Sequence, residues 1–208
     1  MDFLQTLLNW FSKGGIIMWP ILIFSVYGMS LCYERWMHYQ REDKALAGSW
    51  AGMPEFAGEA AAFPAGTGSA AGRLSRAALS NGHLNDGARV EKARHAFQEE
   101  QAGIEKHLGT ISVIASLLPM LGLLGTVIGM IDSFNAIAEH GSGNPRIVAD
   151  GISVALITTE AGLIASIPLF YLHQLLSTRA DVLTRRLDEF MTQILPVCSA
   201  ERKDSVLR

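Results

Sequence analysis

Cysteine is scarce in this chain, and the two residues present, Cys32 and Cys198, stand at neither metal-ligand nor redox-motif spacing. They read as unpaired thiols on a reducing face. The histidines are scattered along the chain, and neither a metal nor a cofactor is expected. Runs of like charge are missing, and a formal net charge of −3 describes neither a nucleic-acid-binding surface nor an acidic tail. Nucleic acid is therefore excluded as a partner. There is no phosphate-binding loop, no serine–histidine pair and no pair of aspartates inside the apolar runs, which excludes an intramembrane hydrolase and leaves no sign of an enzyme. No internal repeat is evident. A cleavable leader would want a basic start and a small-residue cleavage site, whereas the chain begins Met1, Asp2, Phe3 and its first apolar run ends Cys32, Tyr33, Glu34. That run reads as a retained anchor.

What the chain has instead is long apolar runs. Residues 14–33 carry no charge, residues 109–131 carry none and continue through Asp132 into Ser133–Ala138, and residues 151–176 contain a single acid, Glu160. Each reaches the roughly 20 residues needed to cross about 30 Å of hydrocarbon. An all-α membrane protein with three transmembrane helices, at 14–33, 109–138 and 151–176, is the fold class these runs predict. Arg35, Arg41, Lys44, Arg94, Lys106, Arg179, Arg185 and Arg186 flank one side of the spans, and only Lys13 and Arg146 the other. Because cytoplasmic flanks collect Lys and Arg, the N-terminus and the 139–150 loop are predicted outside, and segments 34–108 and 177–208 inside.

Outside the spans, Phe3, Leu4, Leu7, Leu8 and Phe11 have helical spacing, predicting an interfacial helix over 1–13. From Ala45 to Gly72 the chain is rich in Ala and Gly and holds Pro54 and Pro64, which predicts a loose excursion with a short helix after Pro54. Val90, Phe97, Ile104 and Ile111 recur every seven residues with Ala93 and Leu108 beside them, while Glu91, Lys92, Glu99, Glu100 and Lys106 take the other faces. One unbroken amphipathic helix entering the second span is expected. Leaving the third span, Leu172, Leu176, Ala180, Leu183, Leu187, Phe190 and Ile194 make a second stripe, which Pro196 should end. Such stripes need burial against neighbours, within one chain or between copies, and oligomerisation is the favoured reading.

Polar and small residues inside the spans form the candidate site. In the second span Gly122, Gly125 and Gly129 share a face that admits another backbone closely, and Thr126 and Ser133 lie beside it as a hydroxyl stripe. A lone membrane threonine also commonly bonds the carbonyl one turn back. The third span holds Ser153, Thr158, Thr159, Glu160, Gly162, Ser166 and Pro168. A carboxylate facing lipid costs several kcal/mol, so Glu160 should face the bundle interior or be protonated. It either passes a proton or makes a neutral hydrogen bond between helices. Pro168 frees the Ile164 carbonyl and is placed to bend the helix.

The stretch Leu118-Pro-Met-Leu-Gly-Leu-Leu-Gly-Thr-Val-Ile-Gly-Met-Ile131, followed after a short loop by Gly151-Ile-Ser-Val-Ala-Leu-Ile-Thr-Thr-Glu-Ala-Gly-Leu-Ile-Ala-Ser-Ile-Pro168, resembles the ExbB/TolQ/MotA proton-channel family, nearest its ExbB branch. The resemblance implies a ring-forming subunit, five copies in that branch, of a bacterial inner-membrane motor driven by proton-motive force. It also implies an ExbD/TolR-like single-span partner carrying an essential aspartate, a TonB-like protein that takes energy to the outer membrane, and a surround of membrane lipid. Thr126 and Thr159 then match the family's pore threonines, and Gly125, Gly129, Gly162 and Pro168 its packing and bending positions. One position departs. Where ExbB and TolQ usually carry a glutamate, five residues before the second threonine, this chain has Val154, and its one third-span acid is displaced by about 120° to Glu160. The expected function is a non-enzymatic stator or channel subunit energising TonB-dependent transport. The alternatives are a TolQ- or MotA-like motor for envelope maintenance or motility, and a non-conducting scaffold.

Overall fold

A computed structural model describes residues 14–50, 70–79, 86–140 and 145–206. Among these the regular structure is helical, without a strand: α1 spans Met18–Trp50, α2 Ala70–Leu79, α3 Asp86–Glu105, α4 Leu108–His140 and α5 Pro145–Val206. The chain divides into two compact units, one of Met1–Tyr33 with His107–Leu175, the other of Glu34–Lys106 with Leu176–Arg208.

The first unit is the apolar one. Its inner face is built from Met18, Ile21 and Leu31 of α1, Ile111, Ile114, Ala115 and Leu118 of α4, and Ala155, Ala161 and Leu169 of α5, all buried. Gly28 seats α1 here, since a Cβ at that position would meet Leu169 and Ile114 at 3.0–3.1 Å. The outside is equally apolar: Ile16, Ile23, Val26, Met120, Leu123, Phe134, Leu156, Ile167 and Tyr171 are exposed. Two stretches, Val90–Glu139 and Val148–Thr192, are long and apolar enough to cross a membrane, and only 33% of each apolar window is buried within the chain. A helix at the centre of a soluble protein hides most of such a window, so outward-facing side chains of this kind suit lipid or other membrane helices. The helical apolar part of the expected first span, from Met18 to Tyr33, is shorter than the roughly 20 residues a perpendicular crossing takes.

In the second unit Leu176, Ala180, Leu183, Leu187 and Phe190 are all buried, so the α5 stripe read from the sequence packs within this chain. Arg179 lies 4.3 Å over the Trp36 ring, a cation–π contact between α5 and α1. α2 is fastened by charge. Glu42 of α1 accepts from the Ala70 backbone N–H at 3.0 Å, satisfying a donor the start of a helix leaves open. Arg73 spans Glu42 and Glu100, and its bonds to Glu100 raise its pKa further. Beside this cluster, burial first and Arg35 second hold the His38 imidazole below its ordinary pKa.

Several elements differ from expectation. α3 and α4 are not one continuous helix: Lys106 and His107 form a turn, with His107 at φ 68°. The last carbonyls of a helix have no partner within it, and α1 supplies two. Arg35 Nη1 donates to Gly103 O at 2.9 Å and the fully buried Tyr39 hydroxyl to Ile104 O at 2.7 Å. With those carbonyls taken from outside, the chain turns through the left-handed residue common just past a helix end and restarts, the Ile111 amide bonding His107 O at 3.0 Å. Pro196 does not end α5, which runs on to Val206. α5 also begins earlier than expected, at Pro145, and α1 extends to Trp50 into the segment read as loose. The interfacial helix over 1–13 and the short helix after Pro54 lie outside the described residues.

Candidate functional site

α4 and α5 run antiparallel and touch through small residues. Gly122 lies against the backbone of Thr158 and Thr159, Gly125 against the Thr158 side chain, and Gly129 against Gly151 and Ala155. Gly162 closes the other end: a Cβ there would stand 2.6 Å from Leu118 O and 3.1 Å from Gly122 Cα. Side chains any larger would keep the backbones apart, which is why membrane helix pairs place small residues at such contacts. Gly151 and Ala155, which face Gly129 in this seam, were missed in the sequence. Their signal was the three- and four-residue spacing of Gly151, Ala155, Thr158 and Gly162, the counterpart of the α4 glycines.

The hydroxyls are used in two ways. Thr159 Oγ1 donates across the seam to Gly122 O at 3.0 Å, a polar link between the two helices. Thr158 is fully buried and turns its hydroxyl back to its own helix, 2.9 Å from Ala155 O and 3.1 Å from Val154 O. Thr126 does the same towards Leu123 O at 2.6 Å, and Ser133 towards Gly129 O at 2.9 Å with Val148 O 3.4 Å away. Thr126 remains half-exposed one turn beyond Gly122, so its oxygen keeps free lone pairs.

The candidate residues therefore do not form one cluster. Thr126, Ser133, Thr158, Thr159, Gly122, Gly125, Gly129 and Gly162 gather along the α4–α5 seam. Ser153 and Glu160 are exposed. At about 100° per residue Glu160 stands about 200° from Thr158, on the reverse face of α5, and Ser153 lies within about 20° of Glu160. Pro168 is exposed on a helix that continues through it. Among the described residues no group of histidine, cysteine and acid side chains is placed to hold a metal. The seam can pack tightly and offers hydroxyl oxygens in an apolar field, a setting for relaying a proton to a titrating group.

Comparison with known proteins gives a consistent picture. The profile of the MotA/TolQ/ExbB proton channel family matches residues 67–189. A putative biopolymer transport protein ExbB homolog of Methanothermobacter thermautotrophicus is 31% identical over 87% of this chain and 66% of its own length. The biopolymer transport protein ExbB of Salmonella typhimurium is 29% identical over 56% of this chain and 50% of its own. The Tol-Pal system protein TolQ of Pseudomonas aeruginosa is 36% identical over 45% of this chain and 40% of its own. The matched stretches thus cover two thirds of these relatives or less.

Proposed function

The chain belongs to the MotA/TolQ/ExbB proton channel family, and from that premise we propose that it is a ring-forming subunit of a proton-driven motor in a bacterial inner membrane. Copies of the chain, five in number, surround an ExbD/TolR-like single-span helix, and a TonB-like protein carries the work onward. Residues 14–33 supply a third span beside α4 and α5, with the N-terminus outside and the tail cytoplasmic. The role is non-enzymatic. One observation carries the reading: Thr159 joins α5 to Gly122 O, one turn of α4 from the half-exposed Thr126, so two membrane hydroxyls lie at a glycine-tight seam.

In this mechanism the chain supplies a wall and the partner supplies the titrating acid. Thr126 offers its oxygen to water or to the partner carboxyl, while Thr159 fixes the α4–α5 spacing that sets the width of the path. Moving one charge across the membrane releases about 2.3 kcal/mol per 100 mV, enough to bias a shift between neighbouring contacts. A Tol-Pal-type motor is the alternative, supported by the 36% identity to TolQ. Complementation of strains lacking either system separates the two.

The test is proton flux into vesicles carrying the chain and its partner, with Thr126→Val and Thr159→Val compared against Thr126→Ser and Thr159→Ser. Flux should collapse in the valine variants and survive in the serine ones, with assembly unchanged. Full flux in both valine variants would remove the hydroxyls from the path.

A further inference from the structure

Glu160 is the feature the seam does not absorb. It lies on an exposed stripe of α5, Leu156–Glu160–Leu163–Ile167, spaced by three and four residues, whose apolar members are 47–66% exposed. At membrane depth this stripe would leave a carboxyl in hydrocarbon unless protein covers it. Every copy carries that carboxyl, so the cover has to be present once per copy. A partner helix shared among several copies does not meet that condition, whereas a head-to-tail contact between copies meets it by symmetry.

The chain carries a stripe fit to be the cover. On α4, Met120, Leu123, Val127, Met130 and Phe134 also step by three and four and are 42–64% exposed. Copies inserted in one orientation share a depth scale, and the seam calibrates it: Gly122 is level with Thr158 and Thr159, and Gly129 with Gly151 and Ala155. Glu160 is thus level with the turn of α4 around Gly122. Side chains lean towards the N-terminus of their own helix, and α4 and α5 are antiparallel, so the Glu160 carboxyl and the Thr126 hydroxyl lean towards the same depth from opposite sides. Thr126, half-exposed beside the α4 stripe, has its proton committed to Leu123 O and its oxygen free to accept.

Building on the ring reading above, we propose that the Glu160 stripe of α5 is the face on which the α4 stripe of a second copy packs, head to tail, with the Glu160 carboxyl donating its proton in a hydrogen bond to one lone pair of that copy's Thr126 oxygen and the second lone pair left to the path. Glu160 then serves as a contact between subunits on the reverse side of α5 from the seam.

Disulfide trapping in native membranes tests this, using the full chain with Cys32→Ala and Cys198→Ala, co-expressed with its partner. Leu156→Cys combined with Val127→Cys leaves the carboxyl in place, and Glu160→Cys combined with Leu123→Cys probes its position directly. Each pair should give a ladder of dimers, trimers and larger multimers on oxidation, and each single variant monomers. Dimers and nothing larger from Glu160→Cys alone would point to a two-fold contact and overturn the proposal. So would a disulfide to a cysteine-bearing partner helix, or a monomeric pair whose Cys side chains react with a lipid-soluble maleimide. A lysine-directed cross-linker distinguishes the two levels of failure: multimers with it but none through these pairs sink the Glu160 contact alone, and no multimers by either route sink the ring as well.

Discussion

Gly162→Ala is the sharpest probe of the seam. The added methyl would stand 2.6 Å from Leu118 O, about 0.8 Å inside the 3.4 Å of an ordinary contact, and it meets backbone that no rotamer change can move aside. Relief therefore requires α4 and α5 to separate. A separation of that size carries the 3.0 Å bond from Thr159 to Gly122 O beyond useful length. Losing the bond costs about 0.6–1 kcal/mol in a membrane setting, and overpacking adds about 1–3 kcal/mol. Against this stands a gain of about 1 kcal/mol from replacing glycine in a helix. A net destabilisation of about 1–3 kcal/mol follows. Gly109→Ala is the control, because a Cβ there meets nothing within 4 Å, and it should be neutral or stabilising by up to about 1 kcal/mol. Unfolding of the purified protein in mixed micelles, followed by circular dichroism against denaturing-detergent fraction, measures both. Equal midpoints for the two variants would refute the close approach on which the site rests.

Two further predictions concern the second unit. Tyr39→Phe deletes a fully buried hydroxyl and leaves the Ile104 carbonyl unpaired, and should cost about 1–3 kcal/mol in the same unfolding assay, where a change below about 0.5 kcal/mol would show that another donor, or water, serves that carbonyl. His38 is held below its ordinary pKa of about 6.5, so the unfolded chain binds the extra proton first. Its contribution is complete above that pH and is lost as pH falls through the lower folded value. His38→Gln should flatten the stability–pH profile on that acid side, and an unchanged slope would contradict the burial of the imidazole.

Much of this architecture is legible from local pattern. The α5 stripe from Leu176 to Phe190 lies where its spacing places it, because a long helix buries whichever face is apolar. The α4 glycines likewise announce a close approach. The break at His107 could not be read, because its cause is two donors from α1, 65 and 68 residues away, that take the carbonyls α3 would otherwise extend through. Pro196 shows the limit of a local rule: a proline forfeits one backbone bond without always stopping the helix. The candidate site divided for a reason visible beforehand. Thr158, Thr159 and Glu160 are consecutive, and each step of about 100° turns the next side chain to a different neighbour.

The capping of α3 by Arg35 and Tyr39 also sets an order of assembly. During synthesis α1 leaves the ribosome well before Gly103 and Ile104 exist, so the receptors for that helix end are waiting when it emerges. Closing a loop of this length carries an entropic cost that grows only with the logarithm of its length, and the ion pairs of Arg73 divide it into two shorter closures. Nascent chains cut between α1 and α3 should hold no finished end for α3, and those extended just past His107 should acquire one at once.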